Sequence, residues 1–192
     1  MDIGKAFVDS WNIYVKNIII IILAGIVSSL LGILIAPLVG FQMMFVKAKR
    51  GNPVSFNDVF ATFGAFINLF FGAIWIGIIL TLMFAPMGIC FYLGWNAIGF
   101  LFLIAAVLVD IYLGVNWMFA LLLIYDKGLS IGAGMKASRE LVAKNNWWLH
   151  LVLLILAGVV GGLGNIVWGI GVILTMPIGI GAIACAYAEE AK

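Results

Sequence analysis

The stretch "LSIGAGMKASRELVAKNNWW", Leu129–Trp148, is the longest polar passage in an otherwise apolar chain. A similar passage opens the sequence: "MDIGKAFVDSWNIYVKNIII", Met1–Ile20. A shift of 128 positions lays Ile3 on Ile131, Gly4 on Gly132, Ser10 on Ser138, Lys16 on Lys144 and Asn17 on Asn145. Each phrase stands directly before an apolar run. What such a phrase does at that boundary decides how the chain is read.

At helical spacing the first phrase puts Ile3, Phe7, Trp11 (with Ser10), Tyr14 and Ile18 on one face. Asp2, Lys5, Asp9, Asn12 and Lys16 fall on the other. That pattern predicts an amphipathic helix. The second phrase places Ile131, Met135, Ser138, Leu141 and Val142 opposite Lys136, Arg139, Glu140 and Lys144. A third candidate, "SFNDVFATFGAFIN", sets Phe56, Val59, Phe60, Phe63 and Ile67 in register. Ser55, Ser130 and Asp2 are the expected N-caps. Each phrase therefore reads as a helix lying in the membrane interface, followed by a hairpin of two spans. "LIAPLVG" (Leu34–Gly40) also resembles "LTMPIGI" (Leu174–Ile180) at a shift of 140. The chain divides into three units, 1–50, 51–127 and 128–192, within one transmembrane domain.

Composition supports that setting. Of 192 residues, 66% are hydrophobic and 9% charged, with a mean hydropathy of +1.25. Soluble domains carry about 25% charged residues, so lipid must be the solvent here. The net charge of +2 and the lack of a basic arm argue against nucleic acid as a partner. Cys90 and Cys185 are not expected to pair. No cleavable signal peptide is expected, because Asp2 and Asp9 spoil a basic leader.

Three apolar runs stand out: Ile18–Val46, Phe63–Tyr125 and Trp147–Tyr187. A crossing helix needs roughly 20 residues, so the last two runs hold two spans each. The first, about 29 residues long, reads either as one tilted span or as a hairpin of two short arms. Charge selects the hairpin. With six spans, Lys5, Lys16, Lys47, Lys49, Arg50, Lys127, Lys136, Arg139, Lys144 and Lys192 all share one side. The opposite turns carry none, so the positive-inside rule places both termini in the cytoplasm of a cell-membrane protein. The expected fold class is an all-α integral membrane protein with six transmembrane helices in three hairpins, each preceded by an amphipathic interfacial helix. The arms of the first hairpin, roughly 22 Å each, are short for a bilayer.

The segment "YDKGLSIGAGMKASRELVAKNNWW", Tyr125–Trp148, resembles the signature of several uncharacterised prokaryotic membrane-protein families. They include domain of unknown function 4013 and the membrane domain attached to some glycerophosphodiester phosphodiesterases. Their pattern is a basic turn, a helix with Ala-x-x-Ser, a Lys-Asn pair and two glycine-rich spans. This chain departs in having Ala137 and Ser138 adjacent. The resemblance implies an all-helical polytopic protein and carries no catalytic residues.

Asp110, in "AAVLVDIYLGVNW", lies roughly 22 Å from the expected interface at Tyr125. An ionised carboxylate at that depth is costly unless paired or wet, which makes it a candidate intramembrane polar site. Tyr112, Asn116 and Thr81 are its expected companions, and a hydroxyl or backbone partner is expected for its carboxyl. His150 is the only histidine and has no accompanying ligand set, so no metal site is expected. It reads as an interfacial histidine, and Glu189 and Glu190 as solvated carboxylates. Trp11, Trp147 and Trp148 suit an inner aromatic belt, and Trp95 and Trp168 an outer one. Gly158 with Gly162, and Gly171, Thr175 and Gly179, form small-residue stripes for close helix packing, within the chain or with a second copy of it.

No phosphate loop, nucleophile–base pair or Cys-x-x-Cys is present, so neither an enzyme nor a cofactor is expected. The expected role is organisation within the bilayer, with Lys136, Arg139, Lys144, Lys5 and Lys16 contacting anionic lipid headgroups or a partner. The alternative is a small transporter or channel using the buried carboxylate.

Overall fold

The computed structural model describes residues 1–166 and 171–191, and no strand occurs among them; Trp168 and Lys192 lie outside the described residues. The helices are α1 (Ile3–Lys16), α2 (Ile18–Leu30), α3 (Ala36–Lys49), α4 (Phe66–Leu82), α5 (Ala85–Tyr92), α6 (Asn96–Trp117), α7 (Ala120–Asp126), α8 (Ile131–Lys144), α9 (Trp147–Gly162) and α10 (Val172–Glu190). Four helical stretches are long and apolar enough to cross a membrane: Phe56–Leu82, Asn96–Asp126, Trp147–Ile166 and Val172–Glu190. A fifth is the pair α1 and α2, if the two are taken together, although they meet at 101°.

The two polar phrases are the polar helices α1 and α8 with the corners that end them. Asn17 turns its side-chain amide back to donate to Ile13 O at 3.0 Å, and Asn145 donates to Leu141 O at 3.1 Å. The shift of 128 maps both donor and acceptor. Each asparagine adds a side-chain donor to a last-turn carbonyl where the polar helix stops and the apolar helix begins; Ile13 O also accepts from Asn17 N, at 3.1 Å. The third unit inserts one extra residue, Asn146, at φ 76°, and its side chain accepts from Trp148 N at 3.0 Å. Asparagine tolerates this left-handed conformation better than most residues.

The serines dock the helices. The residues buried in α1 are Ala6, Ser10 and Tyr14; those in α8 are Gly134, Ser138 and Val142, again 128 apart. Ser10 Oγ donates to Ile178 O of α10 at 2.8 Å. Ser138 Oγ donates to Asn116 O at 2.7 Å and accepts from Phe119 N at 3.2 Å, bridging the break between α6 and α7. The buried stripe of α1 is rotated from the expected aromatic face. Trp11 is 51% exposed, because small residues, not large ones, let the backbones approach.

The middle unit departs further. Phe56–Ala65 forms a 3₁₀ helix under a Ser55/Asp58 capping box and runs into α4 as one 27-residue stretch, not as a separate amphipathic α-helix. Three residues per turn bring Val59 and Thr62 onto the buried face and leave Phe60 and Phe63 exposed; Ile67, at the start of α4, is exposed as well. Thr62 Oγ1 donates to Ala36 O of α3 at 2.7 Å.

These three hydroxyls define the packing order. α1 lies on α10, the 3₁₀ segment on α3, and α8 on α7 and the adjoining end of α6. The 3₁₀ segment and α8 each pack on the helix just before them in the chain, and α1, the first helix, packs on α10, the last. All three crossings carry a glycine whose Cβ would overlap the facing element; on Gly134 of α8 it would meet Ile124 of α7. A Cβ on Gly40 would overlap Val59 O, and one on Gly181 would overlap Ser10 Oγ and Phe45. Phe45 of α3, Phe119 and Tyr187 of α10 are fully buried at the centre. The glycine stripes are used differently from the expectation. Gly179 packs against Ala157 O and Gly171 against Gly164, whereas Gly158 and Gly162 face open space.

Candidate functional site

Ion pairs draw the ends of α1, α3, α7 and α10 together at one end of the bundle. Arg50, which caps α3, holds Asp126 of α7 with two hydrogen bonds of 2.7 Å, Nη1 to Oδ1 and Nη2 to Oδ2. Tyr187 of α10 donates its hydroxyl to Asp126 Oδ2 at 2.7 Å. One carboxylate thus joins all three units in a bidentate, charge-assisted arrangement. The hydrogen bonds from Arg50 to Asp126 hold the guanidinium above its ordinary range. Lys47 pairs with Asp58 at 2.7 Å, Lys49 with Asp9, and Lys5 with Glu189 at 3.7 Å.

A second polar group lies beside this network. His150 of α9 is completely buried, edge-on to Phe119 at a 5.6 Å centroid distance, and its Nε2 is 2.9 Å from Glu190 Oε2. The Glu190 side chain is only 3% exposed. This corrects the sequence reading of Glu190 as a solvated carboxylate and places His150 inside the packed protein. The two are 40 positions apart, and the antiparallel packing of α9 on α10 brings them together. His150 Nδ1 lies 3.0 Å from Asn146 O, which can only accept, so Nδ1 carries a proton. The Nε2–Oε2 contact then needs one more proton, held as imidazolium with carboxylate or imidazole with carboxylic acid. In both forms Glu190 Oε1 remains an acceptor, and it has no hydrogen-bond partner among the described residues.

Glu190 forms part of the wall of a cleft of about 370 Å³ between α7, α8 and the end of α10. Leu123 and Leu141 give the cleft its apolar surface, and Lys127, Lys144 and Glu140 add charge. The exposed face of α8 continues from it. Lys136 reaches Glu140 only at 3.9 Å, with both side chains mostly exposed, a geometry worth little energy. Arg139 and Lys144 are exposed and form no ion pair among the described residues. Lys16 is likewise exposed and unpaired, whereas Lys5 is engaged with Glu189.

The expected intramembrane site does not assemble. Thr81 is exposed and donates to Gly77 O of its own helix at 2.8 Å. Tyr112 stacks on Trp147 at 5.9 Å. Asn116 is buried and donates to Tyr112 O at 2.7 Å, beside the helix break that Ser138 bridges. Asp110 is half-buried, and its Oδ1 has no hydrogen-bond partner among the described residues, where a hydroxyl or backbone contact was expected. No hydrogen bond joins any two of these four side chains among the described residues.

A second cleft, of about 300 Å³, lies between α2, α3 and α10 and is almost wholly apolar. Its serines, Ser28 and Ser29, both donate back to Gly25 O. No group of three or more potential metal ligands occurs among the described residues. No protein-family model, curated protein or solved structure matches the chain.

Proposed function

We propose that this chain is a non-enzymatic, multi-pass membrane protein that binds anionic lipid headgroups through the outer face of α8. In this reading it makes six crossings as three hairpins, with its charged end and both termini in the cytoplasm. α1 and α8 lie in the cytoplasmic interface. The family resemblance belongs to the same proposal; its signature is Tyr125–Trp148, followed by the glycine-rich spans.

The division of labour among the cations supports the reading. Lys5, Lys47, Lys49 and Arg50 are engaged in ion pairs between or within units, while α8 turns Lys136, Arg139 and Lys144 outward. Cations presented at an anionic membrane surface each contribute about 1 kcal/mol of attraction. A transport reading draws on Asp110 and its orphaned oxygen. It is the weaker of the two, because Thr81, Tyr112 and Asn116 are engaged elsewhere.

The test is lipid enrichment around the purified protein in mixed phosphatidylglycerol and phosphatidylcholine bilayers, read with spin-labelled lipids. Replacing Lys136, Arg139 and Lys144 together by alanine should reduce the phosphatidylglycerol preference roughly tenfold or more at low salt, with a smaller effect at high salt. An unchanged preference would overturn the proposal.

A further inference from the structure

We propose that the cleft at the corner between α1 and α2 is a site for the phosphomonoester head of a phospholipid such as phosphatidic acid, bound through Lys16, Asn12 and Asn52. The inference rests on the proposed function only in placing α1 at the membrane interface, and it uses none of the cations of α8.

The cleft belongs to the internal repeat. It has a volume of about 470 Å³ and lies between the last turn of α1 and the loop that follows α3. Asn12, Ile13 and Lys16 form its α1 wall. The shift of 128 lays these three on Glu140, Leu141 and Lys144, which form the α8 wall of the cleft beside α7 and α10. In both units the last turn of the polar helix and the C-terminal end of a neighbouring helix enclose a hollow. The two copies differ in charge. The later one sets Glu140 and Glu190 against Lys127 and Lys144. In the first, asparagine stands in place of the glutamate, and Lys16 is the one ionisable residue of the wall.

Hydrogen bonding points the same way. Two helices end beside the cleft, and free last-turn carbonyls would repel an anion. Those carbonyls are taken. Ile13 O accepts from Asn17 N and Nδ2, Val46 O from Arg50 N, Lys47 O from Asn52 N, and Ala48 O from Gly51 N. The side-chain donors are not. Among the described residues Lys16 forms no ion pair, and the amides of Asn12 and Asn52 form no hydrogen bond. A lysine offers three N–H groups and each amide two.

This donor set selects the headgroup. A zwitterionic head brings an ammonium for which the wall holds no carboxylate. A phosphomonoester carries a charge of about −1.5 to −2 at pH 7 and three acceptor oxygens, one for the ammonium and one for each amide. A diester offers fewer oxygens and less charge. The acyl chains have a path as well. α2 leaves α1 at 101°, and its first residues, Ile18 and Ile19, are exposed, as are Leu23 and Ile26 further along. With α1 in the interface, that face starts next to Lys16 and Asn17 and runs into the bilayer.

The experiment counts bound lipid on the full chain in detergent by native mass spectrometry. It is run with Lys136, Arg139 and Lys144 already replaced by alanine, so that the α8 face contributes nothing. Phosphatidic acid should bind about tenfold more tightly than phosphatidylcholine of the same acyl chains, the factor that one hydrogen bond to a charged group supplies. It should also bind severalfold more tightly than phosphatidylglycerol. Lys16→Ala should remove the preference, and Lys16→Arg should keep it. Asn12→Glu, which installs the residue of the later copy and pairs with Lys16 one turn on, should remove it too. Both positions are exposed, so the thermal midpoint should not fall. Glycerol 3-phosphate, the head without chains, should bind at least tenfold more weakly than phosphatidic acid.

Equal binding of phosphatidic acid and either other lipid overturns the proposal. So does a preference that survives Lys16→Ala or Asn12→Glu. Glycerol 3-phosphate binding as tightly as the lipid would place the ligand in solution and overturn the lipid assignment. Phosphatidylglycerol enrichment that ignores the α8 cations would overturn the proposed function alone, because those cations are absent from every arm of this comparison.

Discussion

At the scale of single residues, Asp126 carries the densest set of interactions. It accepts both arms of Arg50 and the hydroxyl of Tyr187, with its side chain 10% exposed. Removing one partner from such a group leaves the others unsatisfied, which costs more than the net worth of the pair. Asp126→Ala is expected to destabilise by about 2–3 kcal/mol, and Arg50→Lys by about 1 kcal/mol, since lysine keeps the charge but loses the fork. The readout is the thermal unfolding midpoint in detergent; equal midpoints for the two variants would contradict this ranking. The acidic and basic partners were visible in the sequence as residues near helix ends. Their pairing was not, because Arg50 and Asp126 are 76 positions apart.

At the scale of elements, one hydroxyl per unit fixes each polar helix to its neighbour, but the three are not equivalent. Ser10 and Thr62 bond carbonyls of Ile178 and Ala36, which lie within continuous helices and keep an in-helix partner when the hydroxyl is lost. Ser138 serves a carbonyl and an N–H at the break between α6 and α7. Ser138→Ala should therefore cost about 2 kcal/mol, against about 0.5–1 kcal/mol for Ser10→Ala or Thr62→Val. Chemical unfolding in mixed micelles reads the order, and a Ser138→Ala effect no larger than the other two would show that the break does not depend on it. The matched phrase marked Ser10 and Ser138 in advance. Thr62 escaped notice because the 3₁₀ winding of Phe56–Ala65 moves the buried face away from the positions an α-helix would bury.

At the scale of the whole molecule, the short first hairpin is the unusual part. α2 and α3 have 13 and 14 residues, about 20 Å each, against a hydrocarbon core of about 30 Å. Its tip is apolar and exposed, with Leu30 77% and Ile33 83% accessible, as suits a turn that ends in lipid. The proposed topology keeps Asn52 on the same side as both termini and Tyr92 on the other. In a background with Cys90 and Cys185 replaced by alanine, an impermeant thiol reagent added to intact cells should label Tyr92→Cys and spare Asn52→Cys. The reverse pattern would sink the proposed orientation.

The sequence by itself determined that the chain is all helical and that several helices are apolar enough to cross a membrane. It also located the starts of α1 and α8: Asp2 and Ser130 stand at those N-cap positions, although only Asp2 caps with its side chain, accepting from Lys5 N. The corners at Asn17 and Asn145 follow the same local logic, since their partners lie four residues back. Only the tertiary structure decided which face of each helix turns inward. In lipid the outer face is as apolar as the core, so hydrophobicity does not separate Trp11 from Ser10; close approach and buried hydrogen bonds do. The same holds for the cleft. His150 and Glu190 each look like boundary residues from their neighbours, and they become a buried pair only when α9 folds back along α10. Local patterns are set by contacts within one helical turn, whereas sites are set by contacts between elements far apart in the chain.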